Sequence, residues 1–162
     1  MMDQWFSYGY DARSFEFSQE FVEYLDKYKP FQSVLDVGCG FGQDLALLQI
    51  KYPGLKLTGI ELDIDRAAHA GMIVYDIIQG DVNEVLPTLD RYDLVISKAT
   101  LMYMDLKEIL PQLRRIAKKG IVMYEQEQDI FARNLPKGIQ KTKGKYDQGL
   151  WRGMGYIYDL PA

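Results

Sequence analysis

The run Val34-Leu35-Asp36-Val37-Gly38-Cys39-Gly40-Phe41-Gly42 constrains this chain more than any other stretch. Apolar residues lead through an aspartate, and three glycines then fall at alternate positions before a helical pattern begins at Asp44. A buried strand entering a side-chain-poor turn at a helix start is a place where a small molecule can lie against backbone. Gly38, Gly40 and Gly42 can adopt positive φ and carry no Cβ, so the chain can come close to a ligand there.

The segments around this run alternate in period. Ser18 reads as an N-cap for a helix in which Phe21, Val22, Tyr24, Leu25 and Tyr28 recur at helical spacing, ended by Pro30. Strands are predicted over 33–37, 55–60, 75–79, 92–97 and 121–125. Between them come helices over 44–51, stopped by Pro53-Gly54, and over 64–70, capped by Asp63. A helical turn follows over 82–86, then a helix from the Asp105 cap to about Lys118, kinked or restarted at Pro111, with Lys119-Gly120 as the turn after it. Near-continuous apolar strands alternating with helices predict an α/β fold, a parallel sheet covered on both faces. Beyond Glu125 the pattern predicts a short helix over 129–135 and two strands over 139–145 and 154–160, joined by a bend at Gly149-Leu150-Trp151-Arg152-Gly153.

With 162 residues, one domain is expected: an N-terminal cap and helix (1–30), a ligand-binding core (31–126) and a short C-terminal part (127–162). The single cysteine, Cys39, excludes an internal disulfide and fits a reducing compartment. No apolar run reaches membrane-spanning length and no signal-like pattern opens the chain, so a cytoplasmic protein is expected. Charge is uneven: residues 1–110 hold 9 Lys/Arg against 18 Asp/Glu, and residues 111–162 hold 10 against 5. The basic side includes Arg133, Lys137, Lys141, Lys143, Lys145 and Arg152, either a solvated surface or a patch for an anionic acceptor. It has no signature of a nucleic-acid module, so nucleic acid is not favoured as a partner. The aromatic opening segment (Trp5, Phe6, Tyr8, Tyr10, Phe15, Phe17) is either core packing or a flap over a site.

Open parallel sheets bind ligands outside the carboxyl ends of their strands, where strand order reverses. The special residues all fall at such ends: Asp36 and the glycines after strand one, Glu61 after two, Asp81 after three and Ser97 after four. A carboxylate after the second strand is suited to accept from both hydroxyls of a ribose, and Asp81 from an exocyclic amine such as that of adenine. The glycine turn leaves backbone amides to face an anionic group. A nicotinamide dinucleotide needs Gly-x-Gly-x-x-Gly, whereas Gln43 stands where the third glycine would be. Asp36 before the turn would repel a pyrophosphate but welcome a ligand with an amino group.

These residues resemble the motifs of the class I S-adenosylmethionine-dependent methyltransferases. Residues 34–42 look like motif I, Thr58-Gly59-Ile60-Glu61-Leu62-Asp63 like the acidic post-I motif, and Ile78-Gln79-Gly80-Asp81-Val82 like the adenine-contacting loop. Tyr92-Asp93-Leu94-Val95-Ile96-Ser97 resembles motif IV, and Lys118-Lys119-Gly120-Ile121-Val122-Met123 the lead into the fifth strand. The resemblance implies a Rossmann-like three-layer sandwich of strand order 3-2-1-4-5 with a C-terminal antiparallel 7-6 hairpin. It also implies S-adenosyl-L-methionine as cofactor and S-adenosyl-L-homocysteine as product.

By the same resemblance, Gly38 and Gly40 pass under the methionine part with Cys39 as a small filler between them, and Asp36 orients the amino group. Glu61 holds the ribose with Leu62 against the adenine, Asp81 contacts the adenine amine supported by Val82, and Ser97 and Lys98 line the floor near the methyl. Ser97-Lys98-Ala99-Thr100 replaces the Asn-Pro-Pro-Tyr type motif of enzymes that methylate amide or adenine nitrogens. Tyr8, Tyr10, Lys98, Tyr103 and Glu125 are candidates for an acceptor pocket, and His69, the single histidine, is expected on the surface. The expected activity is methyl transfer to a small molecule, with a homodimer or partner subunit as one answer to the short C-terminal part. The alternative is a catalytically silent cofactor-binding subunit of a larger complex.

Overall fold

A computed structural model describes residues 12–126, 133–147 and 154–162 of the chain. Helix α1 spans Ala12–Tyr24 and passes into a 3-10 turn at Leu25–Tyr28. There follow β1 (Ser33–Val37), α2 (Gln43–Lys51), β2 (Lys56–Glu61), α3 (Ile64–Gly71), β3 (Asp76–Gln79) and α4 (Val82–Val85). Then come β4 (Tyr92–Lys98), α5 (Leu106–Ile116), β5 (Ala117–Gln126), β6 (Gln140–Asp147) and β7 (Met154–Pro161).

The seven strands form one sheet in the order β3-β2-β1-β4-β5-β7-β6. The β1–β2, β1–β4, β2–β3 and β4–β5 pairs are parallel, while β7 runs antiparallel to both β5 and β6. This is the Rossmann-like arrangement expected from the motifs.

Because side chains alternate across a strand, an unbroken apolar strand feeds two cores at once. Leu35, Val37, Val95, Ile121 and Met123 pack on one face with Ile109, Leu113 and Ile116 of α5. Val34, Leu94, Ile96, Val122 and Tyr124 pack on the other with Phe21 of α1 and Leu45 and Leu48 of α2. Each fully buried side chain of this kind contributes roughly 1.5–3 kcal/mol, and their sum fixes where the strand ends stand.

Two local expectations are corrected. Ser18 does not cap a helix, because α1 begins at Ala12; Ser18 lies within it, fully buried, and its hydroxyl accepts from the Lys98 ammonium at 2.6 Å. Lys119-Gly120 is not a turn: β5 starts at Ala117 directly after α5, and Gly120 pairs with Leu94 on one side and Pro161 on the other. A Cβ on Gly120 would run into the Tyr28 ring, so this glycine serves a close approach rather than a reversal.

Helix α5 continues through Pro111 without a break. The bend at 149–153 lies outside the described residues, as does most of the helix expected over 129–135. Residues 1–11, with Trp5, Phe6, Tyr8 and Tyr10, also lie outside them.

The ends of the chain's described part are tied across the sheet. Asp159 on β7 is fully buried and accepts from Tyr24 at 2.9 Å and from Tyr28, and it pairs with Lys27 at 2.5 Å. Among the described residues no helix is long and apolar enough to cross a membrane.

Candidate functional site

The glycine turn closes β1 onto β2. Gly38 and Cys39 both donate their amides to the Ile60 carbonyl at 2.9 Å, and Gly40 donates to Glu61 Oε2 at 2.9 Å. These amides are therefore engaged within the fold, not presented to an anion as the sequence suggested. Gly38, Gly40 and Gly42 have φ of 74°, 56° and 81°, so each occupies the left-handed region where an L side chain is strained. Their surroundings differ. A Cβ on Gly38 would overlap the Thr100 side chain, whereas one on Gly40 meets nothing within 4 Å. Gly40 faces open space, and Gly42 caps α2.

That space is a cavity of about 690 Å³ at the carboxyl ends of the central strands. Gly38, Cys39, Gly40, Glu61, Leu62, Asp81, Val82, Lys98 and Tyr103 all line it. Nine of the sequence-derived site residues thus converge from β1, β2, β3, β4 and the turn that follows β4. Sequence reasoning did not single out Phe41, Asp44, Arg66, Asn83, Thr100, Met104, Asp105 or Glu108, which complete the wall with Gln43 and Ala99. Phe41 lies within the glycine run, Asp44, Arg66 and Asn83 come shortly after the motifs, and Thr100, Met104, Asp105 and Glu108 come from the turn after β4 and the start of α5.

The carboxylates of the site differ in environment. Glu61 is 5% exposed, and its Oε1 accepts from the Asp63 amide at 3.0 Å and faces the Arg66 guanidinium at 3.3 Å. Asp81 is exposed and caps α4, accepting from the Asn83 amide at 2.8 Å. Asp36 is 1% exposed and sits behind the turn rather than on the cavity wall. Neither of its oxygens has a partner among the described residues. Burial pushes the Asp36 carboxyl well above the usual carboxylate range, with the neighbouring Asp44 adding to it and the Lys98 charge opposing it.

Lys98 closes the floor. Its ammonium donates to Asp44 Oδ1 at 2.9 Å and to Ser18 Oγ at 2.6 Å, linking β4 to α2 and α1. Ser97, placed on the floor by sequence, is fully buried below it and donates its hydroxyl to the Val37 carbonyl at 2.8 Å. Cys39 is buried, and that burial pushes its thiol up, away from the thiolate form a nucleophile needs. His69 is half-buried, its ring edge-on to Phe41 at 5.5 Å between centroids.

Of the acceptor candidates, Tyr103 stands 61% exposed at the rim and Glu125 is fully buried behind the wall. Burial raises the Glu125 carboxyl to about 8 against three backbone amides that favour its ionised form. Tyr8 and Tyr10 lie outside the described residues.

A parallel core ordered 3-2-1-4-5, an antiparallel 7-6 hairpin and a cavity behind a glycine turn define the Rossmann-like fold of the class I methyltransferases. The structure is similar to that of the plantazolicin methyltransferase BpumL in complex with SAH, with a TM-score of 0.73 and 15% identity, covering 96% of this chain and 87% of that one. It is similar too to a SAM-dependent methyltransferase from Archaeoglobus fulgidus, with a TM-score of 0.70, 15% identity, and 90% and 93% of the two chains covered.

Residues 29–155 match the family described as "Methyltransferase domain", and the chain belongs to that family. In sequence it is 31% identical over 117 residues to trans-aconitate 2-methyltransferase of Escherichia coli, covering 69% of this chain and 46% of that protein. It is 33% identical over 102 residues to the bifunctional methionine biosynthesis protein MetXA/MetW of Rhodopirellula baltica, covering 57% of this chain and 16% of that protein. The chain thus matches less than half the length of these curated relatives.

Proposed function

We propose that this chain forms a single domain that binds S-adenosyl-L-methionine in the cavity and transfers its methyl group to a small-molecule acceptor. One observation carries the reading: Gly40 opens onto a cavity lined by Glu61, Asp81 and Lys98 at the ends of successive parallel strands. Its volume of about 690 Å³ suits a cofactor with a small acceptor beside it.

Glu61 would take the ribose hydroxyls on lone pairs that its present partners leave free, Leu62 would cover the adenine, and Asp81 would accept from the adenine amine with Val82 beneath. Gly38, Cys39 and Gly40 would pass under the methionine part. Asp36, which has no partner among the described residues and stands behind the turn, would meet its amino group through water. Ser97 supports the floor from below, and Lys98 lies on it.

Sulfonium-bound methyl supplies an electrophile with a good leaving group. The residues of this chain would therefore contribute mainly by alignment: the glycine turn and the β4–α5 turn would hold cofactor and acceptor beside each other and limit the water between them. Tyr103 and Lys98 border the acceptor side. Trans-aconitate 2-methyltransferase and malonyl-[acyl-carrier protein] O-methyltransferase are among the relatives, and a small carboxylic acid is the first acceptor to screen.

Calorimetry with S-adenosylmethionine and S-adenosylhomocysteine tests the cofactor claim. Saturable binding is expected, and no heat at millimolar ligand would sink it. Glu61→Ala removes a ribose acceptor and the partner of the Gly40 amide, so affinity should fall at least about tenfold, the scale of one lost charged hydrogen bond. Unchanged affinity would leave Glu61 as a strand-end cap only. An acceptor screen with labelled cofactor separates the enzyme from a silent binding subunit.

A further inference from the structure

The turn that leaves β4 is held from three sides. Ala99 has φ 54°, a left-handed conformation that a non-glycine residue rarely adopts, so the surrounding contacts must over-determine it. Its amide donates to the Tyr124 carbonyl at 2.9 Å. The Thr100 hydroxyl lies 3.3 Å from the Gly38 carbonyl, on the spot that a Gly38 side chain would occupy. The third hold is a single carboxyl. Glu125 Oε1 accepts from the amides of Thr100 at 3.2 Å and Leu101 at 3.0 Å, and the Met102 amide also faces it.

These are donors at the start of the 3-10 turn Leu101–Tyr103, which have no partner inside the turn itself. The turn carries Thr100, Tyr103 and Met104 into the cavity wall. Glu125 itself is fully buried, does not line the cavity, and leaves Oε2 without a partner among the described residues. An apolar residue would fill the same volume more favourably, but would leave the amides without an acceptor.

We propose that Glu125 is the positioning residue of this cavity: its buried carboxyl gathers the amides of the β4–α5 turn and so fixes the wall of Thr100, Tyr103 and Met104 against the glycine turn. The assignment rests on the cofactor reading for its consequence in binding, though its grip on the turn stands apart from that reading. The ionisable neighbour that feels its charge is Tyr103, on the turn; across β7, Tyr156 lies opposite in register.

Three variants test it. Glu125→Gln keeps one acceptor oxygen but cannot ionise, Glu125→Met fills the volume without an acceptor, and Glu125→Ala removes both. Amide exchange by NMR should show Thr100 and Leu101 exchanging at least about tenfold faster in the Met and Ala variants than in wild type, with Glu125→Gln close to wild type. Affinity for S-adenosylhomocysteine should fall about tenfold in Met and Ala and stay within about threefold in Gln.

Wild-type affinity should rise as pH passes from about 7 to 9 and the carboxyl ionises, because a charged acceptor holds the amides more tightly, and Glu125→Gln should be flat. A residue that only supports the core would lower stability without moving the affinity of the folded protein or its pH profile. Wild-type exchange and affinity in Glu125→Met would overturn the proposal. If wild type binds no S-adenosylhomocysteine, the cofactor reading fails, and the exchange comparison still decides what Glu125 holds.

Discussion

Replacing Glu125 by Gln should change the pH dependence of stability in a defined direction. Glu125 is fully buried, and its carboxyl is raised from an ordinary 4.5 to about 8 by that burial. In the unfolded chain it ionises near 4.5; in the folded protein it keeps its proton until about 8. Between those values the folded state binds one more proton than the unfolded state, so stability falls as pH rises through the window and levels off above it. At about 1.4 kcal/mol for each pH unit, the full gap corresponds to roughly 5 kcal/mol, a large share of the 5–15 kcal/mol typical of a domain.

Glutamine has the same shape and no proton to lose. Urea unfolding at half-unit steps from pH 5 to 9 should therefore show wild type and Glu125→Gln nearly equal at pH 5, with the variant increasingly more stable toward pH 8. With urea m-values of about 1–3 kcal/mol/M, the midpoints should separate by on the order of 1 M or more. Parallel curves would refute the reasoning, because they would mean that the carboxyl ionises at the same pH in both states.

Gly38→Ala should destabilise the protein by about 2–4 kcal/mol, since it combines a left-handed backbone at φ 74° with a Cβ on the Thr100 side chain. A wild-type melting curve would show that the β4–α5 turn gives way easily. Asp159→Asn should cost about 1–3 kcal/mol by weakening acceptors for Tyr24 and Tyr28 and removing the anion beside Lys27. Hydrogen exchange in α1 should rise with it, and unchanged protection there would mean that apolar packing alone holds the helix to the sheet.

Much of the candidate site was legible in the chain because its residues sit in local runs with a local cause. An apolar strand, a glycine turn that tolerates positive φ, and a carboxylate at a strand end are each written within about ten residues. The carboxyl ends of parallel strands then bring Gly40, Glu61, Asp81 and Lys98 to one cavity once those strands are neighbours in the sheet. Asp63 and Asp105 as helix caps were readable for the same reason, since a cap bonds amides two or three residues on.

What escaped the sequence reading depends on partners far away in the chain. Ser18 has the chemistry of a cap, but Lys98, 80 residues on, claims its hydroxyl. Gly120 reads as a turn, but it is small because Tyr28 packs against it across the sheet. The glycine-turn amides look free to meet an anion until Ile60 and Glu61 accept from them.

The sequence by itself thus determined the order of strands and helices, the place of the glycine turn and the residue types at the strand ends, because those follow from periodicity and backbone sterics. Only the tertiary structure decided which of those groups are spent on the fold and which stay open. Gly38 is closed by Thr100 while Gly40 is open, and Glu125 is drawn from an acceptor candidate into the support of a wall. The reason is physical: buried polar groups must find partners, and the nearest partner in space is set by strand order, which no local run encodes.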